Sequence, residues 1–240
     1  MRYRALAHGS PGAKLLELGG VQATLVPVRA WFSVFNSVLY DDPRELERHH
    51  PELAGAYADA GIGAWSVWVA PTDSDTGPIL QSRGHQLDSR PMLFASEIRS
   101  LDLDPVIQLD LDTDPTWKLV AEINDRAHGV LEPWSMTAGF QRMCDPASHL
   151  HVARLDGAPA AALIAREHDG DCYSWFVATV PEARGHGLAS ELIRHALREA
   201  RHHGCTTTTL ESTKMAETLY SNLGYNPFGR YAMWERRTPR

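Results

Sequence analysis

Residues 177–190 read Val-Ala-Thr-Val-Pro-Glu-Ala-Arg-Gly-His-Gly-Leu-Ala-Ser and constrain the fold of this chain more than any other segment. An apolar, strand-like run stops at Pro181, a turn of small residues follows, and helical spacing begins near residue 189. The first N–H groups of a helix lack intrahelical acceptors and carry partial positive charge, which suits an anion. Gly185 and Gly187 permit unusual φ values, and the Arg184 side chain can add a charged contact. The pattern therefore predicts a site for a pyrophosphate group.

Two common phosphate motifs do not fit this turn. A P-loop requires a Lys-Ser/Thr pair after its last glycine, whereas Leu188 and Ala189 stand there. A Rossmann fingerprint requires three glycines and an acidic residue about 20 positions further on, after a second strand. On residues 184–189 alone, a plain glycine turn without a ligand stays an open alternative.

Three downstream segments place the turn in a wider context. Helical spacing continues to Gly204, and threonine-rich residues 205–211 favour a strand. Residues 216–225 (Ala-Glu-Thr-Leu-Tyr-Ser-Asn-Leu-Gly-Tyr) read as a short helix ended by glycine, and residues 231–236 as a closing strand. In this order and spacing, the turn and the Ala-x-x-Leu-Tyr-x-x-x-Gly-Tyr block resemble the signatures of the GNAT superfamily of acyl-CoA-dependent N-acyltransferases over about residues 105–236.

The resemblance implies an α/β (α+β) fold with a mixed central sheet flanked by helices. Local patterns add three strands near residues 149–154, 158–166 and 172–180, joined by hairpin turns at Asp156-Gly157 and Asp169-Gly170. They also predict a helix that begins at Pro115 and is capped by Asp114.

In the GNAT family the glycine turn cradles the pyrophosphate of coenzyme A, so the resemblance implies acetyl-CoA as co-substrate. It also implies that free main-chain N–H groups at Thr179 and Val180 bind the pantetheine arm and the thioester oxygen. Val180 is alternatively an ordinary core residue of a strand. The implied cofactor-binding residues are Thr179, Val180, Arg184, Gly185, His186, Gly187, Leu188, Ala189 and Ser190.

Tyr220 is the candidate general acid, because a phenol with its usual pKa of about 10 stays protonated at neutral pH and can donate to a departing thiolate. A tyrosine packed in the core is the alternative reading. Glu211, where the threonine-rich strand ends, is the candidate general base. Other groups that could take this role, or simply be solvated surface charges, are Glu122, Asp125, Glu132, His151 and Glu182.

The first part of the chain carries a fainter copy of the second. Residues 65–69 alternate like a strand, residues 79–85 parallel residues 219–225, and residues 91–94 parallel the closing strand. We therefore expect two domains, a degenerate GNAT-like N-terminal domain at 1–104 and an acetyltransferase domain at 105–240. An unrelated α/β appendage is the alternative. The first domain lacks the glycine turn, so it is expected to shape the acceptor cleft and add stability.

Composition excludes several classes of protein. The formal net charge of −7 and the pI of about 5.9 argue against a nucleic-acid binder. The sequence contains no apolar run long enough to cross a membrane. Three widely spaced cysteines form no metal motif, and the adjacent histidine pairs at 49–50 and 202–203 point apart on a helix, so no metal is expected. A reducing cytoplasm is the simplest compartment.

Together these patterns predict an N-acetyltransferase of the EC 2.3.1 type, which moves the acetyl group of acetyl-CoA to a primary amine by direct attack in a ternary complex. The acceptor is expected to be a small molecule or a peptide, with residues 124–135 walling its pocket and Trp134 as an apolar wall or as plain core. A catalytically idle CoA-binding sensor or scaffold is the alternative from another class. A longer acyl-CoA donor is also open, as is the choice between monomer and homodimer.

Overall fold

In a computed structural model of the protein, the structure describes residues 10–130, 137–140 and 145–238. These residues form two compact units, which we call unit 1 and unit 2. Unit 1 comprises the residues up to Pro91 and those from Gly229 on, and unit 2 comprises those from Met92 to Phe228. None of the described helices combines the length and the apolar character needed to cross a bilayer.

Unit 1 contains a six-stranded sheet in the order β1-β2-β3-β4-β13-β5, in which only the β3–β4 neighbours are parallel among the described pairs. Its elements are β1 (Lys14–Leu18), β2 (Val21–Leu25), β3 (Ser37–Tyr40), α1 (Pro43–Asp59), β4 (Ala64–Val69), α2 (Thr76–Ser82), β5 (Gln86–Ser89) and β13 (Ala232–Arg237).

Helix α1 packs on this sheet through apolar residues that lie along one of its faces. Leu46, Leu53 and Tyr57 are at most 2% exposed, and the ring of Tyr57 stacks on Trp65 of β4 with centroids 4.7 Å apart. The apolar face of the helix and the inner face of the sheet thus form the core of unit 1.

Unit 2 contains a seven-stranded sheet in the order β12-β6-β11-β10-β9-β8-β7, with β10 and β11 parallel. Its strands are β6 (Met92–Glu97), β7 (Asp110–Leu111), β8 (Ser148–Leu155), β9 (Ala158–His168), β10 (Asp171–Thr179), β11 (Thr207–Ser212) and β12 (Asn226–Arg230). Its helices are α3 (Trp117–His128), α4 (Thr137–Phe140), α5 (Leu188–His202) and α6 (Glu217–Asn222).

Short-range patterns located most elements of unit 2. The turns between β8, β9 and β10 are the predicted Asp156-Gly157 and Asp169-Gly170 pairs, and all four residues have positive φ, as a tight hairpin requires. The predicted cap of α3 is wrong, because the Thr116 side chain accepts from the main-chain N–H of Leu119 at 3.1 Å and Asp114 precedes the helix. Threonine at the cap position satisfies the same orphan donor that an aspartate would.

The two sheets do not follow chain order. β13, the final strand, lies between β4 and β5 in unit 1, whereas β6 pairs with β11 in unit 2. Residues 92–104 therefore belong to unit 2, and residues 229–238, including the last two residues of β12, belong to unit 1. The compact units thus differ in extent from the sequence ranges 1–104 and 105–240.

Candidate functional site

The parallel strands β10 and β11 separate part-way along their length. Their pairing runs from Asp171–Thr207 to Tyr173–Thr209, whereas β10 continues along β9 as far as Thr179. Within the described parts of the chain, no residue of β10 beyond Tyr173 pairs with β11. Ligands of α/β sheets bind at the carboxyl ends of parallel strands, so this opening is the expected place for a site.

A β-bulge in β10 accompanies the opening. The register of β10 against β9 shifts between Trp175 and Ala178, and Phe176 has a φ of 51°. Positive φ is unusual for a bulky residue, and bulges re-aim strands next to active sites. The Phe176 ring packs against Phe140 with centroids 4.9 Å apart, which helps to hold this conformation. Sequence reasoning missed the bulge, because aromatic residues are ordinary in strands.

Beyond the bulge, adjacent main-chain groups of β10 point in opposite directions. The N–H of Val180 donates to the carbonyl of Ala160 at 2.9 Å, and the Val180 carbonyl accepts from Ala183 at 3.0 Å. Strand geometry alternates, so the N–H of Thr179 points away from β9 and towards the opening. The free N–H expected at both residues is therefore found at Thr179, and the expectation is wrong for Val180.

The glycine turn adopts the backbone conformation that its sequence predicted. Gly185 has a φ of 84° and Gly187 a φ of 76°, both in the left-handed region that favours glycine. A Cβ at Gly185 would meet no atom within 4 Å, and one at Gly187 would lie at an ordinary 3.7 Å from Ile107. Backbone conformation, and not crowding, is thus what requires glycine at these two positions.

The start of α5 presents a row of unused main-chain donors. Glu191 makes the first hydrogen bond of the helix, to the carbonyl of Gly187 at 3.1 Å, and no side chain caps the helix. The N–H groups of Gly185, His186, Gly187, Leu188, Ala189 and Ser190 meet no acceptor among the described residues. Such a row beside a helix start fits the oxygens of a pyrophosphate.

The Arg184 side chain connects the glycine turn to α3 and to the end of β10. Its guanidinium donates to the carbonyl of Ala127, in the last turn of α3, at 2.7 Å and to the carbonyl of Thr179 at 3.4 Å. A cation at this place also complements the negative end of the α3 dipole. The structure thus gives Arg184 a positioning contact that the sequence did not reveal.

Tyr220 lies near the end of α6 and is 5% exposed. Its ring lies against Phe94 and Tyr225, with centroids 5.7 Å and 5.9 Å away. Burial raises the pKa of Tyr220 to about 12, so the phenol stays protonated at neutral pH. This is the protonation state that a general acid needs.

Glu211 lies near the carboxyl end of β11, just past its last pairing with β10. The hydroxyl of Tyr173, on β10, donates to its carboxylate. Tyr173 pairs with Thr209, and Glu211 lies two residues further on, so this hydrogen bond holds the carboxylate on the face of the sheet that Tyr173 shares. Glu211 and the glycine turn lie at the carboxyl ends of neighbouring parallel strands and therefore at the same edge of the sheet.

The other candidate bases have different surroundings. Glu122 pairs with Lys118 and Glu182 with Arg126 on the surface. Hydrogen bonding by its own main-chain N–H holds the pKa of Glu182 below its usual value, which weakens it as a base. Asp125 is buried and accepts from Thr137 at 3.2 Å, and His151 lies in a separate pocket described below. Glu132 and Trp134 lie outside the described residues.

Comparisons with known proteins give one family match and several solved structures of similar fold. Residues 114–225 match the Acetyltransferase (GNAT) family. The whole chain has the fold of a GCN5-related N-acetyltransferase from Kribbella flavida (TM-score 0.74, 19% identity, covering 99% of this chain and 93% of that one). One from Sphaerobacter thermophilus is also similar (TM-score 0.63, 15% identity, 92% and 82% covered).

A further solved structure bears on the two halves. A tandem GNAT protein from the clavulanic acid biosynthesis pathway is similar at a TM-score of 0.61 and 15% identity, over 96% of this chain and 85% of that one. Both halves of the present chain are GNAT-like, which confirms the fold predicted from the sequence. No curated protein matches the sequence significantly.

Proposed function

We propose, on the premise that residues 114–225 belong to the acetyltransferase (GNAT) family, that unit 2 transfers an acetyl group from acetyl-CoA to a primary amine. The observation that carries this proposal is the row of unused N–H donors from Gly185 to Ser190, next to the opening between β10 and β11. The donors suit the pyrophosphate of coenzyme A, and the N–H of Thr179 suits its pantetheine arm. These donors are largely exposed, so a bound pyrophosphate would replace the water that otherwise satisfies them.

Tyr220 and Glu211 are proposed to divide the proton transfers between them. The amine nitrogen attacks the thioester carbonyl carbon directly, the C–N bond forms, and the C–S bond breaks. Tyr220 donates its phenolic proton to the departing sulfur, and its raised pKa makes the tyrosinate regain a proton readily. No enzyme nucleophile is needed, because the amine is itself the nucleophile.

Glu211 is proposed to accept the proton that the amine loses, directly or through one water. The Tyr173 hydroxyl fixes the carboxylate at the edge where β10 and β11 diverge. An acidic group there also attracts a cationic acceptor before deprotonation. The acceptor we propose is accordingly a small molecule or a peptide that carries a primary amine.

The reaction is proposed for the cytoplasm, since the buried thiols of Cys172 and Cys205 are free and suit a reducing compartment. The chain is proposed to act as a monomer or a homodimer.

A panel of amines tests the proposal. The purified chain is incubated with acetyl-CoA and each amine, and the free thiol of released CoA is followed against a control without amine. Amine-dependent thiol release together with an acetylated product by mass spectrometry supports the proposal. Tight CoA binding without turnover on any small or peptide amine would instead support a sensor or scaffold. Thiol release only from longer acyl-CoA compounds would show that the donor is not acetyl-CoA, while the proposed binding site would stay the same.

A further inference from the structure

Histidine and glutamate side chains form two facing rows in unit 2, away from the glycine turn. His149 and His151 lie two residues apart on β8 and therefore share one face of the strand. His195 and Glu199 lie four residues apart on α5 and share one face of the helix, and His203 follows four residues later. These residues, with Glu167 of β9, form two groups whose ligand atoms lie within 4.8 Å of one another.

The first group consists of His151, His195 and Glu199. One carboxylate oxygen of Glu199 lies 3.2 Å from Nε2 of His195, and the other lies 3.9 Å from Nδ1 of His151. Ligand atoms around a tetrahedral zinc ion, each about 2.0–2.1 Å from the metal, lie about 3.3 Å apart. Small movements of these side chains would reach that spacing. The group lines a cavity of about 510 Å³.

His151 is the unexplained member of this group. It is 7% exposed, and neither of its ring nitrogens makes a hydrogen bond to a described residue, Nε2 being fully buried. Buried polar groups normally have a partner, and a lone imidazole in the core incurs an uncompensated desolvation cost.

We propose that His151, His195 and Glu199 bind one divalent transition-metal ion of the zinc type, with the fourth coordination position open to the cavity. Two imidazoles and one carboxylate are a known zinc ligand set, and a water or an incoming ligand takes the remaining position. The sequence-based expectation of no metal considered only adjacent histidines and cysteine motifs. The ligands here come from a strand and a helix that the fold brings together.

The second group consists of His149, Glu167 and His203, and its contacts are accounted for without a metal ion. Nδ1 of His203 lies 2.8 Å from Glu167, and this contact raises the pKa of His203 and favours an ordinary ion pair. His149 lies 3.6 Å from the same carboxylate. These side chains are also more exposed than His151, so the second group serves as the matched control.

The proposed ion would connect β8 to α5 at a place distinct from the glycine turn. His195 is the eighth residue of α5, so it lies about 10 Å along the helix axis from Leu188. An ion there stabilises the packing of the helix whose first turn forms the phosphate site. Binding of zinc and binding of CoA are therefore expected to be separable measurements.

Calorimetric titration of zinc chloride into the metal-stripped, untagged full chain tests the proposal. We expect one ion per chain in the wild type. His195→Gln and Glu199→Gln should each weaken binding at least about 100-fold, since even outer partners of metal ligands account for about 10–100-fold. Both side chains are partly exposed, so neither change threatens folding.

The control is the double variant His149→Gln/His203→Gln, which should bind zinc as tightly as the wild type. Thermal unfolding gives a second readout, because zinc should raise the unfolding temperature of the wild type and the control but not of Glu199→Gln. Absence of zinc binding in the wild type would overturn the proposal. So would a loss of binding in the control together with unchanged binding in the His195 and Glu199 variants.

Discussion

The N–H of Val180 donates to the carbonyl of Ala160 at 2.9 Å, and this bond fixes the direction of the neighbouring main-chain groups. The N–H of Val180 points towards β9. The N–H of Thr179 therefore points the other way, towards the opening between β10 and β11. Thr179 is therefore proposed to act through its backbone and not through its side chain.

Thr179→Val tests that assignment. The Thr179 hydroxyl is buried and has no hydrogen-bond partner among the described residues. Its replacement by an isosteric methyl should raise the free energy of unfolding by about 1 kcal/mol and leave CoA affinity unchanged. Urea unfolding and CoA titration measure the two quantities.

Thr208→Val is the matched control for this substitution. The Thr208 hydroxyl bonds to the carbonyl of Cys172 at 2.8 Å and to the Tyr225 hydroxyl at 3.0 Å, so its loss should lower stability by about 1–3 kcal/mol. A marked fall in CoA affinity in Thr179→Val would contradict a purely main-chain role.

Gly185→Ala should weaken CoA binding about tenfold or more. Its φ of 84° is costly for a residue with a Cβ, by about 1–2 kcal/mol, so the turn should relax and misdirect its donors. Gly84→Ala is the control, because Gly84 has a φ of 85° and equally open surroundings in unit 1. Both variants should lose similar stability, and only the first should lose CoA affinity. Equal affinities in both would argue against the turn as the binding site.

Tyr220→Phe should lower kcat by about 10²–10⁴ while the affinity for acetyl-CoA changes little, because only the proton donor is lost. Tyr225→Phe is the control, since that hydroxyl is held by Thr208 and has no assigned role in the transfer. Steady-state kinetics with an accepted amine give both numbers. Wild-type turnover in Tyr220→Phe would remove this phenol from the mechanism.

A buried histidine pair should make the stability of unit 1 depend on pH. Nδ1 of His85 lies 3.2 Å from the Trp234 carbonyl and must donate to it, so its Nε2 accepts from Nε2 of His50 at 3.0 Å. Burial lowers the pKa of both rings to about 4. As the pH falls, these histidines take up protons in the unfolded chain before they do so in the folded one. The free energy of unfolding that the neutral pair contributes above about pH 6.5 should therefore be lost as the pH falls towards 4.

His50→Gln should reduce this loss, because a glutamine amide can still donate to His85 but does not titrate. Urea unfolding at about pH 7 and pH 5, followed by tryptophan fluorescence, measures the difference, since Trp65 contacts both rings. His202→Gln, at an exposed position, is the control. An undiminished loss in His50→Gln would show that this pair is not responsible.

Local patterns predicted much of unit 2, because a turn pair such as Asp156-Gly157 and a glycine stop such as Gly204 act over a few residues. The same is true of the positive φ values at Gly185 and Gly187. The final strand was recognised, but its sheet was not. An alternating strand can pair within either sheet, and only long-range packing decides between the two sheets.

The sequence predicted the glycine turn and the helix start that follows it, but not the register of β10. Which of Thr179 and Val180 has the free N–H depends on the alignment of β10 with β9 and on the bulge at Phe176. The His151, His195 and Glu199 group was missed for a related reason. Its signal is two-residue spacing on one segment and four-residue spacing on another, and only the fold brings the two together.

The proposed function depends on main-chain donors from Gly185 to Ser190 binding the pyrophosphate of coenzyme A. Calorimetric titration of the full chain with CoA and with acetyl-CoA tests it most directly. We expect one binding site per chain for both compounds, with affinity reduced in Gly185→Ala and retained in Gly84→Ala. Absence of binding by the folded wild-type chain would contradict it.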